Sequence, residues 1–248
     1  MAHPRAILFD LDDTILSAYG RPEAAWRAIA NEMSDRLFPI SPALAAETIS
    51  AFGKDFWSDP TRHKTWRMQI EAARRTIVAT AFASLADAGH RLPSPEIAEQ
   101  LADRFSAYRE EQICLFPNAL NVIDQLRQRG LRLALVTNGA AKSQRAKIDR
   151  FDLAHRFDHV QIEEEAGFGK PDEQAYLHAM TALDVVPSET WMVGDNLEWE
   201  VAAPQRLGIF AVWHDVEGRG LPPSSRIRPD LIIHALSDLL RHLPAPSG

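Results

Sequence analysis

An α/β fold, a doubly wound parallel sheet with an inserted all-helical domain, is predicted by three observations. An apolar run, "AILF", sits near the N-terminus and ends in Asp10. Residues 22 to 112 then carry helical texture throughout, with no convincing strand. After Cys114 the pattern changes to repeated strand-then-helix units, the signature of a parallel sheet.

The elements follow in order. Residues 5–10 read as a short buried strand, since a short apolar run closed by polar residues suits a fully covered strand. Pro22 followed by an acid opens "PEAAWRAIANEMSDRLF", and Ser41-Pro42 opens "PALAAETISAFGKDFW". In the next stretch Trp66, Ile70, Ala73, Ile77, Ala81 and Leu85 fall three or four apart, one face of a helix. Pro93-Ser94-Pro95 starts a fourth helix, "PEIAEQLADRFSAYREEQ". Beyond Cys114, "LRLALVTNG" is a strand running into a turn, with a helix from about Ala141. "HVQIEEE" is a strand, and "GKPDEQAYLHAMTAL" is a helix with Pro171 in its first turn. "TWMVGDN" is a strand before a helical segment reaching Leu207. "IFAVWH" is a strand, residues 216–229 are a loop rich in Gly, Pro and Ser, and "DLIIHALSDLLRHL" supplies a last strand and helix.

The expected division is therefore an α/β domain made of residues 1–16 and 113–248, interrupted by a helical domain at 17–112. An insertion after the first strand leaves from the carboxyl edge of the sheet, where open α/β sheets bind ligands, so the helical domain is placed to act as a lid.

Composition narrows the function. The 248 residues are 46% apolar and 25% charged, as in an ordinary globular protein, and carry a formal net charge of −7. That charge gives no basis for a nucleic-acid surface or an anionic membrane partner, whereas a small anionic substrate is compatible with a locally positive pocket. No apolar stretch approaches the roughly 20 residues that span a bilayer, and Asp10 interrupts any signal-peptide pattern. The one cysteine, Cys114, is expected to be a buried filler, and the nine histidines show no zinc-ligand spacing. A cytoplasmic protein, monomeric or homodimeric, is expected.

Four positions stand where apolar strands give way to polar loops: Asp10 with Asp12, Thr137, Lys170 and Asp195. Parallel strands would gather them at one edge. Carboxylates for a hard cation, a hydroxyl and an ammonium suit phosphoryl transfer with Mg2+. Asp10 and Asp12 are two apart and on extended backbone point to one side, while Asp13 points away and is expected to be dispensable. Asn138-Gly139 suits a tight turn, and the helix after it would offer free N–H groups as a phosphate seat. Thr14 is expected to bond back to the loop and hold its shape.

"FDLDDT", "LVTNG", "GKP" and "VGDN", in this order, resemble the four motifs of the haloacid dehalogenase-like (HAD) superfamily, over nearly the full chain and with a helical cap inserted straight after the first motif. The resemblance implies a Rossmann-like core in which Asp10 is the nucleophile that forms an aspartyl-phosphate. It implies that Asp12 protonates the leaving group and then activates water, and that Thr137 and Lys170, with Asn138 and Gly139, bind the phosphoryl group. It implies that Asp195 completes a Mg2+ site with Asp10 and the carbonyl of Asp12. An acid at the Asp12 position favours phosphate esters, since members that cleave carbon–halogen bonds lack it. Two features depart from the pattern: Glu200 replaces an aspartate five residues after Asp195, and Pro204 interrupts the helix after it. Glu200 and Asn196 are expected to support the site from behind. The branch most resembled holds nucleoside 5′-monophosphatases and sugar-phosphate phosphatases, including N-acylneuraminate 9-phosphatase. A phosphatase acting on a small phosphorylated metabolite is the expectation; a phosphomutase, or a phospho-acceptor or regulatory protein without turnover, stays open at this point.

Overall fold

In a computed structural model of the chain, residues 3–243 are described, so the outermost parts of the expected α/β domain, 1–2 and 244–248, lie outside the described residues. Among the described residues eight strands run in chain order: β1 (Ala6–Phe9), β2 (Leu16–Ser17), β3 (Cys114–Leu115), β4 (Arg132–Thr137), β5 (His159–Ile162), β6 (Thr190–Gly194), β7 (Phe210–His214) and β8 (Leu231–Ile233). Six of them form one sheet in the order β5-β4-β1-β6-β7-β8, and every neighbouring pair is parallel. The predicted fold class is thereby borne out. All four residues of β1 are buried, as expected of a central strand covered on both faces.

The chain divides into two compact units, Met1–Ser17 with Cys114–Gly248, and Ala18–Ile113. The second contains α1 (Pro22–Glu32), α2 (Ser34–Leu37), α3 (Pro42–Ser58), α4 (Pro60–Trp66), α5 (Ile70–Asp87) and α6 (Pro95–Gln112). Ser41 and Asp59 cap α3 and α4 by accepting from the N–H groups of Leu44 at 3.2 Å and Arg62 at 2.7 Å. The unit's core joins Trp26 and Ile29, Ala45 and Ile49, Ile77 and Phe82, and Leu101 and Phe105, one pair from each long helix. Trp26 stacks on Phe105 with ring centroids 3.5 Å apart. Two boundaries differ from the sequence reading. The helix expected through residue 38 breaks at Met33, whose φ of −100° and ψ of 17° leave the helical region. The separate helix α4 begins at the Asp59 cap. Two adjacent arginines of α5 take different roles: Arg75 pairs with Asp103 at 2.7 Å, while Arg74 is buried over the Phe105 ring.

In the α/β unit, α7 (Ala119–Gln128) precedes β4, α8 (Ala141–Arg150) follows it, and α9 (Glu163–Ala166) follows β5. Then come α10 (Glu173–Ala182), α11 (Ala203–Arg206) and α12 (Leu239–His242). Alternate residues Ala6 and Leu8 of β1, Ala134 and Val136 of β4 and Met192 of β6 pack on Tyr176, Ala179 and Met180 of α10. The short β2 and β3 pair antiparallel, a ribbon that two-residue strands do not announce in sequence. Cys114 lies on it and is exposed, contrary to expectation. The acidic run at 163–165 forms a helical turn instead of extending β5, closed by Gly167 at φ 79°. Among the described residues no helix is long and apolar enough to cross a membrane.

The register fixes the functional edge. Phe9 lies opposite Leu135 on one side and Val193 on the other. Asp10, Thr137 and Asp195 therefore leave the sheet together, at the carboxyl ends of β1, β4 and β6. The sheet order reverses there, since the chain adds β4 and β5 on one side of β1 and then β6, β7 and β8 on the other.

Candidate active site

The turn after β1 is tied by its own backbone. Ile15 and Leu16 both donate to the carbonyl of Leu11 at 3.0 Å, and Asp13 N–H donates to Leu16 at 2.6 Å. Asp13 occupies the left-handed region at φ 58°, which aspartate tolerates better than most residues. Thr14 does not hold this loop as expected: it is fully buried and its hydroxyl has no hydrogen-bond partner among the described residues.

Asp10 meets Lys170. The ammonium lies 2.5 Å from Asp10 Oδ1 and 2.8 Å from Glu200 Oε1, with no side-chain exposure. Burial alone would lower the pKa of the lysine, but the two carboxylates outweigh that effect and raise it. Burial raises the Asp10 carboxyl against the opposing pull of Lys170, and pushes Glu200 up to about 7. Glu200 stands in place through its second oxygen, which accepts from the N–H of Asn196 at 2.8 Å. Gly194 is required by this packing, since a Cβ there would fall 2.0 Å from Glu200 Cγ.

Lys170 is delivered by a clamp. Asn138 Nδ2 donates to the Lys170 carbonyl at 2.7 Å, and the Lys170 N–H donates back to Asn138 Oδ1 at 2.9 Å. The donor and the acceptor of the Asn138 amide thus both engage Lys170, and the side chain braces that loop. The Lys170-Pro171 peptide is cis, and the following helix begins at Glu173 under an Asp172 cap, so Pro171 does not take the first helical position. The expected phosphate seat is also partly taken: Gly139 N–H donates to Glu163 at 3.0 Å and Ala141 N–H to Glu164 at 2.6 Å. The acids of α9 therefore satisfy amides that the sequence left open.

Two residues that sequence reasoning missed complete the arrangement. Lys147 Nζ lies 2.8 Å from both carboxylate oxygens of Asp12. Gln144 Nε2 lies 3.0 Å from Asp12 Oδ2, 2.6 Å from Thr137 Oγ1 and 2.7 Å from the Asn138 carbonyl. Both are buried. One signal for them exists in sequence: on α8 they share a face with the core residue Ile148, so polar side chains stand on an inward stripe.

Asp195 is partly buried, and its carbonyl accepts from Trp213 Nε1 at 2.7 Å. Burial, with Glu200, Asp10 and Asp13 nearby, holds its carboxyl well above the ordinary range. No cationic side chain pairs with it among the described residues. Asn196 caps the π-helical turn Leu197–Ala202, accepting from the N–H groups of Glu198 at 3.0 Å and Trp199 at 3.1 Å. Pro204 carries no N–H, and the carbonyl of Trp199, five residues earlier, accepts from the Tyr176 hydroxyl at 2.5 Å. That contact explains how a proline is tolerated here.

Carboxylates of Asp10, Asp195 and Glu200 against the single ammonium of Lys170 leave a surplus of buried negative charge, which a divalent cation would neutralise. Among the described residues no three His, Cys, Asp or Glu side chains form a ready metal cage. Mg2+ suits such a site, since it binds through one or two carboxylates and retains water.

A family model described as haloacid dehalogenase-like hydrolase matches residues 4–208. The chain belongs to this family of enzymes. It is 30% identical to a phosphoserine phosphatase of Thermus thermophilus, over 95% of this chain and 97% of the relative. It is also 30% identical to a ribulose-1,5-bisphosphate 5-phosphatase of Halopiger xanaduensis, over 85% of this chain and 84% of the relative. The magnesium-bound putative HAD-hydrolase YfnB of Bacillus subtilis superposes with a TM-score of 0.68 at 25% identity, covering 98% of this chain and 100% of that one. Solved 2-haloacid dehalogenases share the fold as well.

Proposed function

We propose that this HAD-family enzyme is a Mg2+-dependent phosphatase that hydrolyses a small phosphorylated metabolite through an aspartyl-phosphate on Asp10. The observation that carries the reading is the pair of carboxylates after β1, each held by its own lysine: Asp10 by Lys170 at 2.5 Å and Asp12 by Lys147 at 2.8 Å. Asp10 attacks phosphorus as the ester P–O bond breaks, and Asp12 gives its proton to the departing alkoxide. Asp12 then takes a proton from the water that attacks the phosphorus, releasing inorganic phosphate and restoring Asp10. Lys170 fixes Asp10 and balances phosphate charge, and Thr137 presents its hydroxyl to the phosphoryl group. Asp10, the Asp12 carbonyl and Asp195 would hold Mg2+, which when bound supplies neutralisation of the phosphate oxygens. The acid at Asp12 separates this chain from dehalogenases, whose halide leaves without a proton. Relatives named as phosphatases support the substrate class. The helical unit Ala18–Ile113 would serve as the cap.

Phosphate release from a panel of nucleotides, sugar phosphates and two- or three-carbon phosphates tests the reading, with and without Mg2+ and in the Asp10→Asn variant. Release by the wild type that falls at least about 10⁴-fold in the variant is expected. Equal rates in both proteins would end the nucleophile assignment, and isomerised sugar phosphate in place of free phosphate would make it a mutase. Asp195→Ala should raise the Mg2+ concentration needed for half-maximal activity.

A further inference from the structure

We propose that Lys147 and Gln144 are positioning residues that hold the Asp12 carboxyl in its working place and tie it to Thr137. The inference rests on the phosphatase reading above. An acid–base group works only within hydrogen-bond reach of the atom it protonates, and a carboxylate in a turn loses rotamer freedom when it is held there. Here the holding is done by one face of α8. Lys147 meets both oxygens of Asp12 at 2.8 Å, which draws the carboxylate toward α8. Gln144, one helical turn earlier, reaches Asp12 at 3.0 Å and Thr137 at 2.6 Å with a single nitrogen. Leaving-group chemistry and phosphate binding are thereby referred to one rigid helix.

The fold does not need this pair. Lys147 is 2% exposed, and an apolar side chain at an inward helical position would spare the desolvation of an ammonium. Its partner Asp12 is 14% exposed, so water could solvate that carboxylate without the lysine. A buried cation spent on a carboxylate at the solvent margin makes sense when the placement of that carboxylate matters.

The test compares kcat/KM for p-nitrophenyl phosphate, whose leaving group departs without a proton, with that for the best alkyl phosphate of the panel. Wild type, Lys147→Met, Lys147→Arg, Gln144→Met, Asp12→Asn and the Asp12→Asn/Lys147→Met double variant are measured. Lys147→Met should lose about 10²-fold on the alkyl ester and less than about tenfold on p-nitrophenyl phosphate. Lys147→Arg should recover most of the alkyl-ester loss. In the Asp12→Asn background Lys147→Met should change the alkyl-ester rate by less than about threefold, since the two act through one group. If Lys147→Met does not fold, Gln144→Met carries the same comparison, with a smaller loss confined to the alkyl ester. Equal losses on both esters, or losses that multiply with Asp12→Asn, would overturn the positioning role while leaving the phosphatase reading intact. A wild type that releases phosphate from neither ester would overturn both.

Discussion

Lys170 and Lys147 are both withdrawn from water, with side-chain exposures of 0% and 2%, yet they are built into the molecule differently. Lys170 sits on a loop, braced through its backbone by Asn138, and faces two carboxylates, of which Glu200 is 1% exposed. Lys147 sits on a helix and meets Asp12, at the margin of solvent. Removing Lys170 would strand a carboxylate that water cannot reach, so its loss falls on the fold as well as on the chemistry. Removing Lys147 would strand one that water can reach, so its loss falls on the chemistry. A buried cation is structural to the degree that its partner has no other source of solvation.

The sharpest probe of the Lys147 side is its partner. Asp12→Asn should lower turnover by about 10² to 10⁴-fold, the usual size of an acid–base contribution, with Mg2+ affinity by calorimetry little changed. On the other side, Lys170→Met should cost about 3–5 kcal/mol in urea unfolding, the loss expected when one member of a buried ion pair is removed. Adding Glu200→Gln to that variant should recover part of the cost, and no recovery would break the account of Lys170 as a counter-ion. His214 extends the comparison to a buried group without a counter-charge at hydrogen-bond distance. Burial lowers its pKa to about 4, against the weaker opposing pull of the Asp13 backbone and of Asp215. The unfolded chain takes up a proton near the ordinary histidine value of about 6.5 while the native state refuses it. Its contribution is therefore complete above that pH and is lost as pH falls through about 4, amounting to about 3 kcal/mol over the window. His214→Phe should flatten this part of the stability profile measured by urea unfolding. The smallest effect is expected for Lys147→Met, whose unfolding free energy should stay within about 1 kcal/mol of wild type, since an apolar side chain spares the desolvation of the ammonium and water still reaches Asp12; a loss near that of Lys170→Met would erase the contrast.

The sheet and its functional edge were legible because parallel strands are short apolar runs, and the polar residues ending them are conspicuous. Asp10, Thr137 and Asp195 could be placed on that basis, since each follows or closes such a run. Lys147 and Gln144 were not, because α8 reads as a polar surface helix until it is known which face turns inward. Asn138 was read as a turn residue and phosphate ligand; the sequence shows an amide but not that both its ends are taken by Lys170. The acids at 163–165 looked like a continuing strand because their partners, the amides of Gly139 and Ala141, lie more than twenty residues upstream. Cys114 was misplaced because a two-residue ribbon leaves no periodic trace. In each case the missing information is a contact between distant segments, which local pattern does not carry.

The place of β1 in the sheet also orders the making of the molecule. Its apolar strand is made before either of its partners, since Ala6 pairs with Arg132 on one side and Thr190 on the other. Both partners are synthesised long after it. The helices between Ala18 and Ile113, whose contacts are largely local, can assemble in the interval, while "AILF" waits with both backbone edges unsatisfied. The strand that ends in Asp10 thus waits longest for its neighbours among the strands of the sheet, and the sheet closes around it only after the chain has passed β6.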